Sequence, residues 1–589
     1  MALPSFHIPA TLAVALAVSL SAATYEVAQR APGASDAGDG TPAHPWKTIG
    51  RAARQTGPGD TVVIGDGIYR EQVVVKVGGT AQAPLRFEAA PGAQVVLTGA
   101  DPLTRWQKVG AGRPVYQTPW PYRFLPWSPH LAHPDDPYHR LIGRCEQVAV
   151  QGYLLRQVLD PSQLAPGTFY ADLTNQVLEA WDPANRDLRQ LEVEAAVRQE
   201  ILHVEADEVE VSGLRFRFAA NMAQHGAVFL AGRRDLLEDC VIEAMNASGA
   251  AFTGPDEVAR RCVFRDNGQL GFGAHHAHHL LVTESRIENN NTKGFDRGWE
   301  AGGDKLVLCR HAVLERSRFL RNRGAGIWFD IGNEDCEVRQ CLIAENEDAG
   351  VFDEISFGLQ AHDNVIVGNG FAATPGAWGA QAGIVLSSSP YSRIERNLIL
   401  GNREGFNFRE QARTTPRLAG GTEEAVWNHD ETIQHNLIAL NRDAQVWGWF
   451  DLADDRPWPG GAGQHQRSEP SATAKPTDLA AAYGARPGTV QPHGLALETL
   501  HLRFLNNVYA TGPGQGAFRW GVPWRRHQSY DSLPEFRRDL ELDVGGRVLD
   551  LPFANARALD CRLPAASLSQ VRECYPHGPI PGVRLGASP

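Results

Sequence analysis

The sequence holds only three methionines and no extended Leu-rich stretch at helical spacing, which argues against a helical bundle. Its eight cysteines form no CxxC pair and are too sparse in 589 residues for a cystine framework. Clustered cations are missing as well. With 68 acidic against 56 basic side chains the net charge is −12, a poor match for a phosphate backbone, so no nucleic-acid partner is expected. Long apolar runs are also absent. The longest, TLAVALAVSLSAA (11–23), is shorter than the roughly 20 residues that span a bilayer, so no membrane span is expected. Its N-terminal position and small-residue end, Ser21-Ala22-Ala23, read as a signal peptide over 1–23, hence a secreted or periplasmic protein.

What is plentiful is turn chemistry: 59 Gly and 38 Pro. From about 200 to 445 the chain repeats at roughly 22–25 residues, as in DCVIEAMNASGAAFT (239–253), RCVFRDNGQLGFGAH (261–275), RSRFLRNRGAGIWFD (316–330) and QCLIAENEDAGVFDE (340–354). Each unit has an apolar strand, a polar turn, then a small residue opening a second strand. Asn267, Asn290, Asn322, Asn346, Asn369, Asn402 and Asn441 recur at one turn, where Asn tolerates φ > 0 and bonds to neighbouring rungs. Short β-rich units at this period, with no helix between and no LxxLxL pattern, predict an all-β, right-handed parallel β-helix. Cys240, Cys262 and Cys341 hold equivalent repeat positions and read as stacked core residues; Cys561 and Cys574 are close enough in sequence to pair in an oxidising compartment.

The organisation follows: N-terminal coils over 24–104 with a short capping helix, a Trp/Tyr/Pro-rich β-rich insertion over 105–195, the main β-helix over 196–510, and an extension over 511–589 packing along its outside.

Strand alternation assigns side chains to the interior or the outer face. In GIWFDI (326–331) it sends Trp328 and Asp330 out; in GVFDEI (350–355), Phe352 and Glu354. The same counting puts Ser387, Arg409, Lys305 and His275 outside, in a file reading His275, Lys305, Asp330, Glu354, Ser387, Arg409. Asp330 and Glu354 are 24 residues apart, one coil, so their carboxyls are expected at about the 4.8 Å rung spacing. That is near the roughly 5–5.5 Å a retaining glycosidase needs between nucleophile and acid/base. Trp328 and Trp299 offer flat faces to sugar rings, and Glu300 lies near the file. Asp353 falls at an inward position but is close enough to be drawn into the site. The run AHHAHH (274–279) reads as a turn, and no metal or cofactor is implied.

At these residues WEAGGDK (299–305), GIWFD (326–330) and GVFDEIS (350–356) resemble the β-helix glycoside hydrolases of the pectate-lyase-like superfamily, in particular glycoside hydrolase families 120 and 141. In the former an Asp nucleophile and a Glu acid/base lie about one coil apart, and a β-rich insertion interrupts the helix. The resemblance implies Asp330 as nucleophile and Glu354 as acid/base but does not carry over the sugar; the leading reading is a secreted retaining glycosidase acting on a plant- or algal-type polysaccharide or oligosaccharide. His275, Trp299, Glu300, Lys305, Trp328, Asp353, Ser387 and Arg409 are the substrate-binding candidates. Two other readings stand beside it: a lyase in which Lys305 or Arg409 abstracts a proton from a uronic acid, and a solenoid that binds carbohydrate without cleaving it. Sugar, linkage and oligomeric state are not legible.

Overall fold

The computed structural model describes residues 22–126, 142–299, 301–373, 381–410, 413–421, 423–450, 501–522, 526–553, 555 and 560–575. Residues 1–21, most of the signal segment expected over 1–23, and Glu300 lie outside them. The chain winds as a right-handed parallel β-helix whose walls are three 13-stranded sheets. Sheet A runs from Thr24–Val27 to Arg503–Leu505, sheet B from Gly67–Tyr69 to Arg547–Val548, and sheet C from Val73–Val75 to Arg526–Tyr530. Each coil passes through A, B and C in turn. Pairing is parallel throughout, apart from the last two strands of sheet C.

Inward residues stack in columns. In sheet C one column reads Ile327, Val351, Ile384, Phe406 and Val446, all fully buried. A fully buried side chain of this size contributes roughly 1.5–3 kcal/mol, and no coil can bury its own face alone. The helix Ile49–Ala53 closes the N-terminal end of this core with Ile49, Ala52 and Ala53, and Trp46 packs beside it. Thr48 caps it through its hydroxyl, and Glu71 accepts from the backbone N–H groups of Ile49 and Gly50 at 2.9 and 2.8 Å.

The corners carry a correction. The recurring asparagines do form a buried ladder: Asn322 Nδ2 donates to Asn346 Oδ1 at 2.9 Å, and Asn346 Nδ2 to Asn369 Oδ1 at 2.9 Å. They are not the residues with positive φ. The preceding residue takes that bend, as in Asp266 (54°), Arg321 (53°) and Glu345 (58°). It faces solvent and turns the chain, leaving the asparagine side chain to point along the axis. The glycine that opens each sheet C strand makes room for the amide; a Cβ on Gly326 would sit 2.7 Å from Asn346 Nδ2. The corner between A and B has its own ladder. Cys262 N donates to Ser285 Oγ, Ser285 N to Ser317 Oγ, and Cys341 N to Asn364 Oδ1. The stacked cysteines belong to it and are buried in the core, and all eight cysteines are thiols, Cys561 and Cys574 included.

Two additions flank sheet C. The insertion leaves after the sheet B strand Val95–Thr98 and returns before the sheet C strand Leu202–Val204. It has a four-stranded and a five-stranded sheet, with a core that includes Trp106, Trp120 and Phe169. On the opposite edge, between sheets C and A, a hairpin of strands Arg413–Pro416 and Glu423–Val426 packs Val426 against Ile355 and Phe357. The C-terminal extension does two things where one was expected. Its helix Leu533–Leu540 caps the core end by stacking Phe536 on Phe518, ring centroids 4.5 Å apart. Its last helix, Ala565–Cys574, lies along the outer face of sheet B through Val571.

Candidate active site

Asp330 and Glu354 are direct register partners on the neighbouring strands Ile327–Asp330 and Val351–Glu354. Both point outward, because the residues before them, Phe329 and Asp353, turn inward. Adjacent strands lie about 4.8 Å apart, so the two carboxyls project side by side. Their side chains retain 10% and 7% exposure, which places them in a recess rather than on an open surface. Each carboxylate meets a cation: Lys305 Nζ lies 3.0 Å from Asp330 Oδ2, and the Arg413 guanidinium donates to Glu354 Oε1. Glu354 Oε2 also accepts from the Trp328 indole N–H at 3.1 Å.

The outward file differs from the one expected. Glu354, Ser387 and Arg409 follow Asp330 in register, and His275 lies two strands before it. The residue opposite Asp330 on the strand Gly302–Val307 is Val307; Lys305 sits two residues earlier, in the file of Gly273, Trp328 and Phe352. Alternation put Lys305 on the right face but two residues out of register: Leu306 pairs with Phe329, so Lys305 falls opposite Trp328. Its four-carbon stem then carries the ammonium across to Asp330, 4.2 Å from the Trp328 ring centroid and 2.7 Å from the Trp299 carbonyl.

Several candidates are less accessible than alternation implied. Trp328 and Phe352 are 2% and 5% exposed, stacked at 5.4 Å within a cluster that includes Ala349 and Val385. Trp328 is thus a positioning residue for Glu354 and Lys305, not an open sugar platform. Ser387 and Arg409 have no exposed surface. Trp299 is half-buried against Ile142, Ala223, Phe295 and Ala301. His275 is exposed, edge-on to His276, and burial lowers its pKa. Asp353 turns into the core, fully buried, and its Oδ2 accepts from Ser392 at 3.2 Å; burial pushes its pKa up to about 8. It is therefore not part of the outer face. The ladder between neighbouring strands fixes the pleat, so a residue following Phe352 in an unbroken strand cannot swing out.

Alternation also sends Asp304 inward, like Asp353, and Arg413 is the contributor it did not reach. Asp304, also inside, accepts from Trp328 N at 2.9 Å, so it seats the strand that carries Asp330; burial holds its pKa well above the usual carboxylate range. A polar residue at an inward position was the available signal. Arg413 comes from the hairpin 59 residues beyond Glu354, and no periodicity points to it. Arg417 of the same hairpin pairs with Glu334 at 3.2 Å and lies 4.1 Å from the Phe357 ring centroid. Among the described residues no three His, Cys, Asp or Glu side chains converge as a metal-binding group.

Comparison with known proteins agrees with the fold. Residues 226–399 match the family model "Right handed beta helix region". Over 68 residues, 12% of this chain and 14% of the relative's length, the sequence is 35% identical to the uncharacterized protein YwoF of Bacillus subtilis (strain 168). Among solved structures, XylC in complex with xylose superposes with a TM-score of 0.65 at 17% identity, covering 90% of this chain and 87% of that one. The A-module of the mannuronan C-5 epimerase AlgE6 of Azotobacter vinelandii aligns over 88% and 96% of the two chains at 12% identity and a TM-score of 0.45. The chain thus shares its fold with the XylC structure over nearly the whole length.

Proposed function

We propose that the protein is an exported glycoside hydrolase of the retaining type, acting on a polysaccharide or oligosaccharide at one terminal sugar. The observation that carries this reading is the register pairing of Asp330 with Glu354, which sets two outward carboxyls at about the separation that double displacement needs. Asp330 attacks the anomeric carbon while Glu354 protonates the departing oxygen. Water, activated by Glu354, then releases the glycosyl group from Asp330. Lys305 holds the Asp330 carboxylate, while Trp328 and Arg413 orient Glu354. The low exposure of both acids suits a recess that takes a chain end, and the architectural likeness to the xylose complex of XylC supports a sugar as its occupant.

Lys305 beside the acids favours a second reading, β-elimination on a uronic acid with Lys305 as base. Arg409, the other base considered, has no exposed surface. The test is a glycan panel, from aryl β-xylosides to xylan, mannan, galactan, alginate and pectate oligosaccharides, read by mass and ultraviolet absorbance. The expected result is a saturated product gaining one water. An unsaturated, ultraviolet-absorbing product would overturn the hydrolase reading. On the substrate found, Glu354→Gln is expected to lower kcat by roughly 10²–10⁴. Asp330→Gly with added azide is expected to form a glycosyl azide of inverted configuration. Full activity of either variant removes the assignment.

A further inference from the structure

The four rungs of sheet C immediately before that of Lys305 carry on their outer face a group that the two-carboxylate mechanism does not use. His203, Phe229, Ala251, Gly273 and Lys305 occupy one outward file, each in register with the next. At its far end His203 and His225 both pack against the Phe229 ring, centroids 4.9 and 5.0 Å away, and all three are partly exposed. Glu200 bonds both imidazoles, at 2.9 Å to His203 Nδ1 and 2.6 Å to His225 Nε2, and accepts from Gln72 at 3.0 Å. Between this aromatic ledge and Lys305 the file holds only Ala251 and Gly273. A Cβ on Gly273 would meet nothing nearer than the Lys305 carbonyl at 3.9 Å, so the floor is low.

The charge on this face discriminates between ligands. The strands Leu202–Val204, Gly226–Leu230, Ser248–Phe252 and Leu270–His275 contain no Lys, Arg, Asp or Glu. A polyuronate laid along them would meet no cation borne by those strands before Lys305 and would end against the Glu200 carboxylate. A neutral glycan would find an apolar floor, ring area for its C–H faces, and a carboxylate with imidazoles for its hydroxyls. Phe229 lies four rungs from Asp330, about 19 Å at 4.8 Å each, and His203 one rung further, a distance spanned by several sugars and not by one.

We propose that this face binds the distal part of a neutral oligosaccharide whose terminal sugar occupies the Asp330–Glu354 recess, with His203, Phe229 and His225 as its far anchor. The proposal rests on the sugar-binding reading of that recess. Binding is measured by calorimetry on the full chain carrying Glu354→Gln, with di- and hexasaccharides of xylan, mannan, cellulose, alginate and polygalacturonate. At least one neutral hexasaccharide is expected to bind roughly tenfold more tightly than its disaccharide. Phe229→Ala, and independently Gly273→Trp, which fills the floor, should abolish that preference. Equal affinity for both lengths of every neutral glycan, tighter binding of the uronate hexamers, or a length preference untouched in both variants would overturn it. Length-dependent binding without turnover by the unmutated chain would support the ledge and sink the hydrolase reading alone.

Discussion

The Trp328 indole donates to Glu354 Oε2 across one rung, 3.1 Å from nitrogen to oxygen, while Lys305 lies over the same ring. One buried aromatic therefore orients the acid on its own coil's far neighbour and the cation that serves Asp330. Trp328→Phe keeps the ring in its cluster and deletes only the donor. Loss of one such bond to a charged acceptor is worth about 1.5–3 kcal/mol, so kcat on the glycan substrate should fall roughly tenfold or more, with KM little changed. Steady-state kinetics on a variant with unaltered melting temperature checks this. An unchanged kcat removes the positioning role.

Lys305 and Asp330 form a pair with only 12% and 10% of their side chains exposed. Lys305→Met leaves the carboxylate in place without its cation, and stability should drop by about 3 kcal/mol. Adding Asp330→Asn should recover part of that loss, because the isolated charge is gone too. Denaturant melts of the two single variants and the double variant measure the coupling.

Asp353 carries a pH signature. Burial raises its pKa to about 8, and the neighbouring Glu354 adds to the effect against the Ser392 hydrogen bond. Above the ordinary carboxylate pKa the unfolded chain releases this proton while the folded chain keeps it. Stability from this group is thus full at low pH and declines as pH rises toward 8, by up to about 1.4 kcal/mol per pH unit. Asp353→Asn should flatten the stability profile between pH 5 and 8 by about one proton's worth. Proton release measured on unfolding gives the same quantity independently.

The asparagine ladder is expected to matter for stability and not for chemistry. Asn346 accepts from Asn322 N and Nδ2 at 3.0 and 2.9 Å, and donates to Phe319 O and Asn369 Oδ1. Asn346→Ala leaves those buried partners unmatched, at a cost of about 3 kcal/mol. Urea melts followed by circular dichroism test it; a change under 1 kcal/mol would mean that the ladder is ornamental.

The repeat was legible because a β-helix writes itself locally: one strand, one corner and one small residue, about every 23 residues. From that period and the two-residue pleat, the outward placement of Asp330, Glu354, Ser387 and Arg409 follows, and the coordinates keep all four in register. The same counting misplaced Lys305 by two residues, because alternation fixes the face of a strand and leaves its register against the neighbouring strand open in steps of two. It also assigned the corner bend to the asparagines when the preceding residues adopt it, since composition at a turn does not say which of two adjacent residues supplies the conformation and which the side chain.

The sequence by itself determined the period, the inner and outer faces, and the pairing of two acids one winding apart, because these depend only on chain geometry repeated locally. Tertiary structure decided what surrounds the acids. It brought Arg413 to Glu354 from a distant hairpin, packed Trp328 beneath its neighbours, and let the long Lys305 stem reach Asp330 from the adjoining file. Those outcomes depend on side-chain reach and on contacts between segments far apart in the chain, for which no local pattern exists.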